Sequence, residues 1–552
     1  MRGCPRLSGN AAGIGKRAAF RLQLAAMRLQ LHTNPGEIQP FLTDESSSTG
    51  SAEGISFPQS EAEIWEALQF CRQHGAPITI QGARTGITGG AVPSGGQVIN
   101  LSRCSRALGM AWDETYQRFL LTVQPGMLFS QVQKGLAEKE FNTEGWSAES
   151  LRAYRRFCAG GRWYFPADIT ETSASIGGMV STNASGAKSY LYGPMRSHVA
   201  GLRVLLADGR SVSLQRGEQF ARDGAFSLRL EDGSFITGKL PTYRMPRVKN
   251  ASGYYITPDM DLLDLFIGAE GTLGIVTEIT IALAPLPALS WGILAFFEDT
   301  APALRYVRAL KALQGVQKPA AIEYFDRACL EMIRREQVET HAHQGLPLLP
   351  PAEAVYTEFH HASQTDMDAC VEKTANMLEK IGADPGETWL AVTPQDLEKL
   401  IGFRHAVPES INRVIAERKR DNPAITKLGT DMAVPDEKLE WVLGLYSGSI
   451  HAFGLEGLKF GHIGNNHLHV NILPRSTQEY DQGKALFLDW ARQIIAAGGT
   501  VSAEHGIGKL KTAQLVAMYG QQAVAEMRLL KRCFDPMGLL NPGNMFAWEG
   551  GA

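Results

Sequence analysis

Apolar positions at helical spacing open the folded part of the chain. Ile64, Leu68 and Cys71 fall on one side of a stretch that starts with Ser60 and Glu63, a capping-box pair, and is closed by Gly75. The pattern predicts a helix between Ser60 and Gly75. Pro77-Ile-Thr-Ile80 and Val98-Ile-Asn-Leu101 read as short strands on either side of a glycine-rich turn. Gly201 to Asp208 reads as a strand entering an Asp208-Gly209 hairpin turn, and Ile275 to Leu283 as another strand. Near the C-terminus, Phe487, Trp490, Ile494 and Ile495 form a core stripe on a predicted helix from Lys484 to Ala497. Residues 44–54 are polar and predict a connector with little to bury.

Three glycine loops interrupt this pattern. The first is Gly82-Ala83-Arg84-Thr85-Gly86-Ile-Thr-Gly89-Gly90, directly after a strand. Such a turn offers backbone N–H groups to an anion, most often a phosphate. It is neither a dinucleotide-fold GxGxxG opening a long helix nor a Walker loop. The second follows Phe165-Pro-Ala-Asp168 and runs Ser175-Ile-Gly177-Gly178-Met-Val-Ser-Thr182-Asn183-Ala-Ser-Gly186. The third is Gly268-Ala-Glu270-Gly271-Thr-Leu-Gly274-Ile275-Val276. Any one of them is compatible with a tight turn in a β-domain; three in one region point to a large ligand approached by backbone.

Two further segments carry imidazoles and a carboxylate: Phe460-Gly-His462-Ile-Gly-Asn-Asn-His467-Leu-His469-Val-Asn471 and Ser502-Ala-Glu504-His505-Gly-Ile-Gly508. Neutral imidazole with carboxylate is a zinc-type donor set, and a spare histidine beside it is suited to general-base work. The spacing alone is a moderate signal, since no cysteine quartet accompanies it. On a strand, His467 and His469 would face one side. For His467 the expectation is a supporting or solvent-facing place rather than a ligand.

Composition narrows the classes. At 552 residues, with roughly 150 residues per domain, about two to four domains are expected. The apolar fraction of 44% and charged fraction of 20% are those of an ordinary globular protein. A formal net charge of −3 gives no global field for nucleic acid or an anionic membrane. The seven cysteines are scattered, which argues for a reducing compartment and against both a disulfide framework and an iron–sulfur cluster. No apolar run nears the ~18 residues of a membrane span. Arg2, Arg6, Lys16, Arg17, Arg21 and Arg28 precede the first acid, Glu37. That start has the look of an organellar transit segment, but its scarcity of serine favours initiation at Met27. The expectation is cytoplasmic, or mitochondrial if the transit segment is genuine.

Six motifs in order resemble the FAD-linked oxidoreductases of the vanillyl-alcohol oxidase flavin fold, in the D-2-hydroxyacid dehydrogenase branch. They are the three glycine loops, the FGHIGNNHLHVN and SAEHGIGK segments, and a closing Asp535-Pro-Met-Gly-Leu-Leu-Asn541-Pro-Gly543. The branch includes D-lactate dehydrogenases, the glycolate oxidase flavin subunit and D-2-hydroxyglutarate dehydrogenase. The resemblance implies an α+β protein: a poorly structured extension over 1–50, a two-subdomain PCMH-type FAD-binding domain over 51–287, and an antiparallel-sheet substrate cap with a C-terminal helical return over 288–547. It implies non-covalent FAD, because the first glycine loop has no histidine to tether the flavin. Residues 82 to 90 would cradle the pyrophosphate; Asp168, Ser175, Gly177, Gly178, Thr182 and Asn183 would lie along the flavin, and Glu270, Gly271, Gly274, Ile275 and Val276 would close over the rest.

By the same resemblance, His462, His469 and Glu504 would ligate a divalent metal, zinc first with manganese or iron as alternatives, and His505 would be the base. The cation would act as a Lewis acid on the substrate, and hydride would pass from the α-carbon to the flavin. Arg404 and Lys427 match substrate-carboxylate clamps, with Asn471 a further contact; Lys249 reads as structural. Electrons would leave to a separate acceptor: an electron-transferring flavoprotein, an iron–sulfur subunit or a quinone. A homodimer and peripheral membrane attachment stay open, and nucleic acid is not expected.

Two competing functions remain. One is the alkyl-transferring ether-lipid synthase of the same fold, which has a histidine in place of Glu504; the other is a metal hydrolase, which would leave the glycine loops without a role. Phe141 to Tyr164, with Arg152, Arg155, Arg156 and Arg162 among aromatics, is longer than the family pattern and reads as a solvated helical insertion, a lid, or a docking surface. The His341, His343, His360 and His361 group reads as incidental.

Overall fold

The computed structural model describes residues 30–343 and 345–548. The arginine-rich start and Met27 lie outside the described residues. Three sheets organise the rest. The first has the spatial order Leu31–His32, Gly54–Ser56, Gln97–Asn100, Ile78–Gln81, and its last three strands are parallel. The helix Glu61–His74 covers it. Ser60 caps the Glu63 N–H, Gly75 ends the helix at φ 61°, and Ile64, Leu68 and Cys71 are buried. The helix, its two caps and its buried face follow from the sequence pattern.

The second sheet is antiparallel, in the order Ala107–Asp113, Arg118–Val123, Ile275–Ala282, Val199–Leu205, Ser211–Gln215. Its hairpin turns through Asp208 and Gly209, where φ is 91°. The insertion contributes the helix Ala148–Ala159, which turns Ala153 and Phe157 into this core, joined by Trp146 just before it, while Arg152, Arg155 and Arg156 face solvent. Its aromatic residues are therefore largely packing, and the Trp146 indole donates to the Ala107 carbonyl at 2.9 Å.

The third sheet is the cap: Trp389–Ala391, Leu289–Phe297, Glu353–His361, Ala321–Phe325, Gly457–Gly461, His467–Ile472, Leu428–Gly429, antiparallel throughout. Helices Thr300–Lys311 and Gln364–Ile381 pack on one face, Arg327–Glu339 and Pro394–Asp421 on the other. Register decides what the second face carries. Glu323 pairs with Tyr356, Ala321 with Glu358, Phe325 with Phe460, and Phe460 with His469. Paired residues share a face and alternate along a strand. Glu323, Glu358, His469 and Asn471 therefore line one side, beneath the helix that bears Arg404.

The chain then returns. Helix Thr477–Ala496 buries Trp490 and Ile494, with Phe487 and Ile495 half-buried, and Thr512–Phe534 follows with a break at Gly520. Leu540 bridges to Ile78, and Asn541 accepts the Ile80 N–H at 2.7 Å, joining the C-terminus to the first sheet.

Part of the stretch expected to be unstructured is ordered: Leu31–His32 pairs with Gly54–Ser56, and Pro35–Ile38 is helical with Ile38 buried. Asp44, expected in a polar connector, is buried and accepts N–H groups of Ser46 and Ala91. Local hydrogen bonding allowed the burial that polarity argued against. Among the described residues, no helix is long and apolar enough to cross a membrane.

Candidate active site

The strands Gly457–Gly461 and His467–Ile472 are joined by a tight turn, with Gly461 at φ 117° and Asn466 at φ 52°. A Cβ on Gly464 would sit 2.9 Å from the Tyr190 ring, so the turn fits only without a side chain. This turn brings His462 back beside the next strand, with ring centroids 5.3 Å from His467 and 5.4 Å from His469. His467 and His469 share one strand face, as alternation predicts.

Ser502 to Gly508 approaches from the opposite side. Both Glu270 oxygens accept backbone N–H groups at 2.7 Å, from Ile507 and Gly508. The Thr88 carbonyl accepts the Lys509 N–H at 2.9 Å, so the first and third glycine loops clamp this segment. Burial pushes the Glu270 carboxyl up to about 7, against the pull of those two N–H donors. An unfolded carboxyl releases its proton near 4.5. The folded state therefore binds the proton more tightly, and stability falls as pH rises from 4.5 to about 7, by about 3 kcal/mol, then levels. Urea unfolding at pH 5 and pH 8 should show this loss in the wild type and not in Glu270→Gln.

Glu504 is the meeting point. Its Oε1 lies 3.3 Å from His469 Nε2, and its Oε2 lies 3.5 Å from His462 Nε2 and 3.8 Å from His467 Nδ1. The ligand atoms of these four residues lie within 4.8 Å of one another. The far side of each ring is held. Glu323 lies 2.8 Å from His462 Nδ1, the Thr430 carbonyl 3.3 Å from His469 Nδ1, and Asp431 3.0 Å from His467 Nε2. Such outer partners fix ring orientation for a metal ligand. Burial works against a charged His462, yet Glu323 outweighs it and holds that imidazole up at about 9. Burial drives His467 well below its ordinary value, so it is neutral. His467 is fully buried, which removes the solvent-facing expectation, and it stands between Glu504 and Asp431.

His505 sits alongside, its ring stacked on His469 at 5.6 Å. Its Nδ1 is 3.1 Å from Asp431 Oδ2, and its Nε2 is 3.5 Å from Glu504. Asp431 also takes the Glu504 and His505 N–H groups and the Lys511 ammonium at 2.7 Å. Burial would raise its carboxyl, but His505 and Lys511 hold it well below the carboxylate range.

The second glycine loop closes the other wall. Ser175 caps the helix Ile176–Thr182 through the Gly178 N–H, the Thr182 hydroxyl donates to the Gly178 carbonyl, and Asn183 ends the helix at φ 50°. A Cβ on Gly82 would meet Ser175 Oγ at 2.1 Å, and one on Gly177 would meet Pro125 at 2.6 Å, so these glycines let the loops nest. Ser185 reaches Glu504 Oε2 at 3.4 Å. Among the described residues, no acceptor is recorded for the backbone N–H groups from Arg84 to Gly90, the arrangement an anion cradle needs. A cavity of about 290 Å³ is lined by Asn183 and Ser185 of this loop together with Lys249, Asn250, Asn465 and Ala503. Asn250 Nδ2 and Asn465 Oδ1 are buried there without partners. The donor set suits a divalent cation, and the loops suit a flavin dinucleotide.

Other expected residues are placed differently. Arg404 is partly buried, 3.4 Å from Glu323, with its Nε unpartnered. Asn471 is buried on the His469 face. Lys427 is exposed and donates to Asn412 at 2.6 Å; it precedes a two-residue edge strand. Ile275 packs in the core under the first sheet, Gly274 approaches Val204, and Gly271 approaches Asn541. Asp168 accepts the Lys188 N–H and pairs with its ammonium at 3.7 Å, next to Glu358 and His360. His360 is thus a member of a buried polar chain rather than incidental.

Lys249, read as structural, lies 2.6 Å from Glu504 Oε2. Sequence reasoning also passed over Glu323, Glu358 and Asp431. Glu323 alone was signalled, as an acid inside the apolar run Ala-Ile-Glu323-Tyr-Phe.

Comparison with known proteins agrees with this geometry. The family model for "FAD linked oxidases, C-terminal domain" matches residues 287–545, and that for "FAD binding domain" matches 52–147 and 147–215. Glycolate oxidase subunit GlcD of Bacillus subtilis (strain 168) is 28% identical over 500 residues, covering 90% of this chain and 89% of that protein. D-2-hydroxyglutarate dehydrogenase of Xanthomonas citri pv. viticola is 28% identical over 549 residues, covering 95% and 96%. Among solved structures, p-cresol methylhydroxylase with substrate bound has a TM-score of 0.65 at 13% identity, covering 98% of both chains. An alkyldihydroxyacetonephosphate synthase has a TM-score of 0.63 at 15% identity, covering 95% of this chain and 84% of that one. These likenesses establish the PCMH-type flavin fold. The chain belongs to the FAD-linked oxidase family and is a flavin-dependent oxidoreductase.

Proposed function

We propose that this protein oxidises a D-2-hydroxy acid to the 2-oxo acid with metal assistance and passes the electrons to a separate acceptor. The FAD-binding unit would span 51–287 and the cap, with the metal and base residues, 288–547. The relatives are named for glycolate, D-lactate and D-2-hydroxyglutarate. The observation that carries the reading is the His505–Asp431 pair set beside His462, His469 and Glu504, with Ser185 of the second glycine loop at Glu504.

Bound FAD supplies the hydride acceptor, and a divalent cation, zinc first, supplies Lewis-acid pull on the substrate hydroxyl. His462, His469 and Glu504 would hold that cation, with His467 within reach. His505 takes the hydroxyl proton at Nε2, because Asp431 holds the Nδ1–H and so selects the tautomer. Lys511 keeps Asp431 ionised, which favours the charged imidazole as the proton arrives. The three glycine loops would hold the flavin by backbone N–H groups and close loop packing. The six cysteines among the described residues are free and dispersed, so onward transfer falls to another redox carrier.

The test is anaerobic mixing of FAD-loaded, zinc-restored protein with D-lactate, glycolate and D-2-hydroxyglutarate. Loss of flavin absorbance with at least one acid is expected, and no loss with any would defeat the proposal. A narrower expectation concerns Asp431→Asn. Flavin reduction should slow by about 10²–10⁴-fold with FAD still bound, since the amide can present its N–H to the ring and select the wrong tautomer. Stopped-flow reduction rates check this; an unchanged rate would remove Asp431 from the proton transfer.

A further inference from the structure

We propose that Lys509 is the cation that binds the pyrophosphate of FAD, completing the cradle offered by the first glycine loop. Backbone N–H groups bring only partial charges, whereas a diphosphate diester carries full negative ones. Phosphate-binding glycine loops commonly pair such N–H groups with one lysine ammonium.

Lys509 is fixed against that loop. Its N–H and that of Leu510 both donate to the Thr88 carbonyl, at 2.9 and 3.2 Å. The stem runs beside Gly543, where a Cβ would lie 3.5 Å from Lys509 Cε. The ammonium donates to Asn544 Oδ1 at 2.8 Å and lies 3.5 Å from the Gly89 carbonyl. Asn544 is itself tied to the loop, its Nδ2 donating to the Gly90 carbonyl at 3.0 Å. The head of the lysine thus sits between the end of the loop and the closing turn of the chain.

What this ammonium lacks is an anion. Lys188, Lys249, Lys459, Lys511 and Lys531 each reach a carboxylate at 3.3 Å or less. Among the described residues, Lys509 has no carboxylate at ion-pair distance. Glu270 and Asp44 act on it from farther away, and their oxygens already accept backbone N–H groups, Glu270 from Ile507 and Gly508, Asp44 from Ser46 and Ala91. Burial draws the ammonium down to about 8, only partly countered by those two acids.

The other cations at the loop are committed. Arg84 turns away, its guanidinium donating to the Pro40 and Thr43 carbonyls and lying 4.7 Å from the Phe41 ring centroid. Lys511 is held by Asp431 and the Ser502 hydroxyl. An ammonium has three N–H donors, so Lys509 keeps one for a ligand beside the N–H groups of Arg84 to Gly90. Lys509 therefore holds the dinucleotide and takes no part in the redox chemistry of the ring.

The experiment compares FAD-loaded wild type, Lys509→Met, Lys509→Arg and Lys139→Met. Lys139 is likewise half-buried, and its ammonium meets the Cys158 and Gly160 carbonyls in the insertion. FAD affinity is read from the flavin fluorescence released on serial dilution of the holoprotein. The midpoint potential of the bound flavin is read by reductive titration at saturating FAD. Lys509→Met should weaken FAD affinity by about 10- to 100-fold and keep the wild-type potential. Lys509→Arg should recover most of the affinity, and Lys139→Met should match the wild type. If Lys509→Met does not accumulate, Lys509→Ala with added propylammonium should regain FAD affinity as the amine is raised. Wild-type affinity in Lys509→Met, or in Lys509→Ala without the amine, would overturn the inference. So would an equal loss in Lys139→Met, or a shifted potential at saturating FAD, which would place the ammonium at the ring instead.

Discussion

Replacing His505 by alanine is expected to give a yellow, FAD-loaded protein whose flavin no hydroxy acid reduces. The side chain is 28% exposed, and besides its pairing with Asp431 its ring stacks on His469 at the edge of the core, so folding should survive. What disappears is the group that accepts the hydroxyl proton, and with it the developing charge that expels hydride. General-base removal costs about 10²–10⁴ in rate, or about 3–5 kcal/mol of transition-state stabilisation. Rapid mixing under anaerobic conditions measures it directly. Reduction at the wild-type rate in a fully flavinylated sample would remove His505 from the chemistry.

Glu504→Gln should be comparably severe for a different reason. The carboxylate is shared by four imidazoles, His462, His467, His469 and His505, and by Lys249; burial opposes its charge, yet Lys249 and His462 hold its proton affinity well below the ordinary carboxylate range. The amide removes the charge that would anchor a divalent cation and leaves the Lys249 ammonium buried without a counter-ion. Breaking one side of a buried pair costs about 3–5 kcal/mol. Metal content by mass spectrometry and turnover should fall together, and prolonged chelation of the wild type should reproduce the loss of turnover with FAD retained. Full activity in a verified metal-free sample would remove the Lewis acid from the account.

Much of this site could be read along the chain because its parts are local. The glycine loops, the His462–Asn471 strand turn and the Ser502–Gly508 segment each combine unusual residues within a dozen positions, and the 61–74 helix announced its caps and its buried face. What escaped is what depends on distant pairing. Glu323 faces His462 only because Phe325 aligns with Phe460 across two strands. Asp431 becomes the hub of His467, His505 and Lys511 only once Met432–Ala433 pairs with the strand that begins at His467. Lys249 was discounted because nothing in its neighbourhood in sequence indicates that Ser252 and Ser502 lie together. Lys427 was expected as a clamp from the family resemblance alone, and its ammonium donates to Asn412. Asp44 shows the limit of polarity as a guide, since a buried acid with hydrogen-bond donors in place needs no apolar sequence around it.

The most direct test of the whole account is a single anaerobic titration of FAD-loaded protein, chelator-stripped and then zinc-restored, with both enantiomers of lactate and of 2-hydroxyglutarate alongside glycolate. The account predicts bleaching that requires restored metal and that, with a chiral acid, follows the D enantiomer. Bleaching that is equal in stripped and restored samples, or a flavin that stays oxidised with every acid after metal is returned, would contradict it.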